Sequence, residues 1–319
     1  MLDRRELLMA GLAVALGARG GGAAASRAPR ALVTADTEAH VAVVALDRPR
    51  VVGRLRTVED PRSIERSPGG ASAIVGHAGA GAISLVDLGA SRVRRVLRGF
   101  VQPRYTAFAP GGRLAYVSDS GAGEIAVVDV RAGRVLRRVA VGDGARHLSL
   151  APGGRWLWVA LGSSAPEIAV LDLRADPARP RPAGRIRTPW LVHDVAFSPS
   201  GRRVWATAGR VPSITVLSAA TRRPIRTLHA DAAPQHVTFG AGVAFVASGE
   251  GASVSVHSLA DGRLRRRSRV PPGSYNVQRG GAIVLTPSLG TGALTLLDAR
   301  DAVTASVRVA DHAHDACFG

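Results

Sequence analysis

The side chains able to bind a metal or move a proton are few in this chain, and they are unevenly placed. Nine histidines occur in 319 residues, and several sit beside acids in a sequence otherwise poor in them: His193 with Asp194, His314 with Asp315, Asp311 with His312, and His229 two residues before Asp231. Convergent imidazole and carboxylate groups are what zinc or another divalent ion requires. The pairing also suits proton transfer, because a neighbouring carboxylate orients an imidazole and raises its proton affinity. His147 and His236 have no adjacent acid. For them the ordinary role is structural, capping backbone and filling a narrow channel with hydrogen bonds. No nucleophile motif accompanies these residues. Gly162 and Ser163 are not followed by a helical pattern, so they do not make a nucleophile elbow. Glycine pairs such as Gly111 and Gly112 read as turn residues rather than a phosphate cradle.

What must position these groups is a repeat. Apolar segments ending in a small polar or acidic residue recur at Asp47, Asp87, Asp129, Asp172, Ser218, Ser258 and Asp298, at intervals of 40 to 46 residues. Each follows another β-rich segment, such as Ala115 to Val117 or Leu157 to Val159, and most precede a basic, β-branched one such as Val135 to Val139. A fourth segment runs into a turn containing Pro and Gly, as at Pro110 to Gly112, Pro152 to Gly154 and Pro199 to Gly201. Four short strands per repeat predict an all-β, seven-bladed β-propeller with four antiparallel strands per blade. A single blade leaves both sheet faces apolar, so neighbours must stack in a ring to bury them. The first repeat begins at Ala31 with a second strand, and Asp315 to Gly319 match a first strand with nothing after it. The C-terminal strand is therefore expected to complete blade one and close the ring.

Strand order then sorts the chemistry onto one face, here called the top, which carries the loops leading into each innermost strand and those between second and third strands. His147, His193, His236 and His314 begin innermost strands, His229 and His312 precede them, and His40 and His77 fall between second and third strands; only His257 lies within a strand. The metal-ligand candidates are thus His193, Asp194, His314, Asp315, His147 and His236. The blades of His193 and His314 are expected to face one another across a central funnel. Arg62, Arg104 and Arg146 also begin inner strands, and Tyr105, Tyr275 and Asn276 occupy comparable positions. Together they suit an anionic organic ligand or a metal-bound carboxylate.

Phe197 to Gly201, and Tyr116 to Asp119 followed by Ile125 to Asp129, resemble the repeat of the YVTN family of propellers, the class that includes YncE-like proteins. The resemblance covers residues 31–319. The blade around Asn276 to Arg279 departs from it, lacking the aromatic and the Pro-Gly turn. It implies binding or scaffold roles outside the cytoplasm, some members being implicated in nucleic-acid contact, and it carries no shared catalytic residue.

Asp3, Arg4, Arg5, Glu6, Leu7 and Leu8 resemble a twin-arginine export motif. A weakly apolar stretch from Met9 to Ala18 follows, and Ala23 to Ala25 before Ser26 form a small-residue cleavage site. The reading is an export signal over 1–25, a linker over 26–30 and one propeller domain over 31–319. The mature chain is expected outside the cytoplasmic membrane, without a membrane span and as a monomer. A single cysteine, Cys317, excludes an internal disulfide and any cysteine cluster for metal. All 42 basic residues are arginine, a usage that looks like GC-rich coding. Residues 1–30 hold five Arg, one Asp and one Glu, which leaves +15 of the net +18 on the remainder. Such a field favours anionic partners.

The favoured expectation is a binding or scaffold propeller whose top funnel captures a small ligand, a metal ion or a protein partner. A metal-dependent lactonase or lyase at the same funnel is the alternative. A metal carrier and a binder of nucleic acid or another anionic polymer are further ones. No cofactor other than a divalent metal such as zinc is expected.

Overall fold

The computed structural model describes residues 29–319, which form 28 strands, from β1 (Arg30–Ala35) to β28 (Ala313–Phe318), and no helix. The segment 1–25 that reads as an export signal and most of the expected linker lie outside the described residues, and β1 starts at Arg30. The strands make seven antiparallel sheets of four. Blade two runs from β4 (Pro61–Arg66) to β7 (Arg92–Arg98), blade three from β8 (Pro103–Phe108) to β11 (Arg134–Ala140), and blade four from β12 (Leu148–Leu150) to β15 (Arg181–Arg187). Blade five runs from β16 (Asp194–Phe197) to β19 (Pro224–His229), blade six from β20 (Pro234–Phe239) to β23 (Leu264–Arg269), and blade seven from β24 (Gln278–Gly280) to β27 (Val303–Arg308). Blade one is ordered β28-β1-β2-β3, where β2 is His40–Ala45 and β3 is Arg50–Arg56. The last strand is therefore the innermost strand of the first blade, in register Ala31 to Phe318 and Leu32 to Cys317.

Strand alternation explains the stacking. In β10 (Glu124–Asp129) of blade three, Ile125 and Val127 enter a cluster with Leu157 and Val159 of blade four. Ala126 and Val128, on the opposite face, enter one with Ile74 and Ile83 of blade two. Successive side chains of a strand point to opposite faces, so a continuous apolar run serves two neighbours at once. The core is accordingly seven clusters, one at each junction between adjacent blades. The turns after the inner strands of blades three, four and five close on glycines in left-handed backbone, Gly112, Gly154 and Gly201, with φ of 68°, 69° and 67°. A residue with a Cβ pays for that conformation, which is why the turn is written with Gly.

The fourth strands form the rim. They carry the arginine-rich segments, including the exposed run Arg265 to Arg267 on β23, and no Asp or Glu lies within any of the seven. A β-bulge interrupts every pairing between third and fourth strand. Bulges and like charges together keep these open edges from pairing with another sheet.

Candidate metal and ligand site in the top funnel

The innermost strands bring seven edges around one axis, and some of their backbone N–H groups have no partner within the blade. Side chains from the preceding blade satisfy several. Ile64 N–H donates to Asp315 Oδ2 (2.9 Å), Val237 N–H to Asp194 Oδ2 (3.0 Å), and Phe197 N–H to Ser149 Oγ (3.1 Å). Asp194 and Asp315 thus tie blade five to six and blade one to two. Burial pushes both carboxyls up to about 7, and it pushes Glu65, next to Asp315, up to about 8. These are blade-to-blade ties; neither carboxylate joins the imidazoles as a metal-ligand group.

The histidines they adjoin behave differently. His147, His193 and His236, from blades four, five and six, place one ring nitrogen each within 4.8 Å of one another. The His147 and His236 rings meet edge to face with centroids 4.2 Å apart, and His193 lies 4.6 Å from His147. His147 Nδ1–H donates to the His193 carbonyl (2.6 Å), which leaves Nε2 as a lone pair directed at His236 Nε2, 2.7 Å away. Tyr105 stacks on His147 at 3.5 Å, and its hydroxyl lies 3.3 Å from His236 Nε2. The Nε2 of His193 is buried and has no hydrogen-bond partner. Gly209 permits this crowding, since a Cβ there would come within 2.7 Å of the His193 Cβ.

Asn276 of blade seven holds His236 from behind, its Nδ2 being 3.2 Å from His236 Nδ1, while its buried Oδ1 has no partner. With the amide so placed, His236 Nε2–H donates to His147. Turned over, the amide would give up its bond to Asp315 and present Oδ1 to Nδ1, favouring the tautomer whose ring proton has moved from Nε2 to Nδ1, so the amide orientation selects whether His236 Nε2 carries a proton or a free lone pair. All three rings are held neutral. Burial drives His147 and His193 well below the ordinary imidazole value and His236 to about 3, and the nearby Arg146 adds to the effect on each.

Above the trio opens a cavity of about 460 Å³ lined by Arg62, Arg146, Arg210, Tyr105, Tyr275, His193 and His314, among others. Below it, a channel of about 150 Å³ is bounded by Glu65, Asp194, Asp315, Ser149 and Asn276 as well as His147 and His236. His193 therefore has its expected place at the funnel, but its partners are His147 and His236 rather than His314. The His314 ring is turned to the Arg62 carbonyl, which accepts from Nδ1 at 2.7 Å. Arg62 pairs with Asp36 at 3.0 Å, whereas Arg104 donates from Nε to the Ser120 hydroxyl and has no ion pair among the described residues. His229 and His312 are exposed, and Leu191 lines the mouth. Arg210 and Glu250, both at the mouth, were not singled out from the sequence. They lie in loops between second and third strands, whereas His40 and His77, expected in such loops, occupy the adjoining ends of strands β2 and β5, so strand order places all four on one face.

The fold and the funnel define a seven-bladed propeller with an imidazole-floored top cavity. No family model and no curated protein matches the sequence. Among solved structures it is similar to a functionally unknown protein from Desulfotomaculum acetoxidans (TM-score 0.78, 10% identity, 91% of this chain and 98% of that one). It is also similar to a putative 6-phosphogluconolactonase from Bacteroides fragilis (TM-score 0.76, 12% identity, 92% and 99%) and to hydrazine synthase of Kuenenia stuttgartiensis (TM-score 0.70, 17% identity, 81% and 95%). At these identities the likeness is one of fold.

Proposed function

We propose that this chain is an exported binding propeller that holds a divalent metal ion, zinc by preference, on His147, His193 and His236 at the floor of the top funnel. The observation that carries the reading is the neutral three-histidine set, with His147 and His236 buried and His193 half-buried, in which the His147 tautomer is fixed by a backbone carbonyl and the buried His193 Nε2 lacks a hydrogen-bond partner among the described residues. Zinc favours nitrogen ligands in tetrahedral array, and three protein ligands leave one position for a water or a captured molecule. The YVTN-like repeat and the twin-arginine-like leader support a role outside the cytoplasm.

Metal content decides the matter. Protein purified without a histidine tag should carry or take up about one equivalent of zinc, and the folded His147→Ala/His236→Ala variant should take up none. A wild type that is empty and refuses added zinc would overturn the reading. An open coordination position is also what a hydrolytic zinc site keeps, so the alternative, metal-dependent opening of a lactone, is tested on the same preparations. Turnover that follows metal content would establish it.

A further inference from the structure

The funnel mouth contains positive charge that the described residues do not neutralise. Arg146 and Arg210 line it together with Arg62, and neither Arg146 nor Arg210 forms an ion pair among the described residues. Arg146 is half-buried, and among the described residues its enclosed Nε has no partner and its only side-chain hydrogen bond is a long one of 3.5 Å to Ser163 Oγ. Arg62 is committed to Asp36, and the one carboxylate lining the mouth, Glu250, is exposed. Arg104, also half-buried, has no acid partner either. The repulsion is felt locally, since burial and the neighbouring Arg146 and Arg62 lower Arg104 to about 10. A guanidinium withdrawn from water without an anion is costly, and its planar donors match carboxylate and phosphate oxygens.

We propose that the mouth binds a small anion bearing carboxylate or phosphate groups, held by Arg146 and Arg210 above the histidine floor. The tyrosines make this a site for an organic anion: Tyr105 and Tyr275 line the same cavity, and its volume of about 460 Å³ admits more than a bare ion. The proposal rests on the reading of the top funnel as the binding site and names the class of ligand it takes.

Calorimetric titration of the full chain, metal-free and zinc-loaded, with inorganic phosphate and with succinate at constant ionic strength tests it. One site per chain is expected for at least one probe, weakened about tenfold or more in Arg146→Gln and in Arg210→Gln, with neither variant melting below the wild type or taking up less zinc. Arg210 is exposed, so its variant is not expected to lose the fold. Absence of one-to-one binding by either probe, or variants that bind like the wild type, would overturn the proposal. Arginine-dependent anion binding by a protein that refuses zinc would uphold it while the metal reading falls. Stoichiometric zinc with arginine-independent anion binding would do the reverse.

Discussion

The Nε2 atoms of His147 and His236 face each other at 2.7 Å across the floor of the funnel, each ring held from behind by a different blade. Two nitrogens at that distance must share either a proton or a cation. If the trio takes up a metal as proposed, the choice between them would give the central site two states.

The four inner-strand histidines should therefore separate into three and one. Replacement of His147, His193 or His236 by Ala is expected to reduce zinc uptake by at least about a hundredfold in affinity, and His314→Ala to leave it within about threefold, since His314 bonds the Arg62 carbonyl instead. Because burial depresses the three pKa values, protons compete poorly for these nitrogens. Zinc should stay bound as pH falls through 6.5 toward 5, where ordinary imidazoles would release it. Equilibrium dialysis across that range checks both points.

Asn276 touches no metal and should still control it. Its amide fixes the tautomer of His236, and loss of an outer partner of a ligand histidine typically costs about 10–100-fold in affinity. Asn276→Ala should show that loss. Asn276→Asp can only accept from Nδ1–H when ionised but loses the amide bond to Asp315, so it should retain more zinc binding than the alanine variant while melting below the wild type. Equal affinity in wild type and alanine variant would remove Asn276 from the site.

Asp315 should make stability depend on pH in the sense opposite to that of a salt-bridged acid. Its folded value is raised from 3.8 to about 7 by burial, so its favourable contribution is complete below 3.8 and is lost as pH rises toward 7. Asp315→Asn removes that loss and keeps an acceptor for the Ile64 N–H. The melting temperature of the wild type minus that of the variant should then be more positive at pH 5 than at pH 8. Asp315→Ala leaves the buried N–H without a partner, and a cost of about 1–3 kcal/mol is expected at pH 5. Thermal melts at the two pH values test each sign.

Cys317 lies on the closing strand, buried in the cluster between blades one and two, and burial lifts its thiol well above the ordinary value. In the native protein it should resist a thiol reagent at pH 8, and it should react fully, one equivalent per chain, in denaturant. Rapid reaction without denaturant would mean that β28 detaches readily from β1.

The ring, its seven blades, the closure and the face on which the histidines gather were legible because they follow from apolar segments and turns repeated at nearly constant spacing. The convergence of individual rings was not. His193-Asp194 and His314-Asp315 look like ligand pairs when read along the chain, yet neighbours in a strand point opposite ways. When the imidazole faces the funnel, the following carboxylate is turned toward the next blade, where it accepts from Val237 or Ile64. His147 and His236, weaker ligand candidates along the chain because no acid adjoins them, meet because their blades flank that of His193. That relation depends on the order of blades around the axis and has no local signature. Asn276 gains its role in the same way, from the blade that departs most from the repeat.

Closure by the last strand also makes the numbering of blades arbitrary. The Gly319 N–H donates to the Arg30 carbonyl at 2.8 Å, so a short peptide link could join the two ends, and the chain could be opened instead in a loop between any two other blades. In such a circular permutant every blade keeps its partners, and the seam moves to a new position on the ring. His147, His193 and His236 could then be carried on the first and last segments of one polypeptide, so that their meeting would report directly whether the ring had closed.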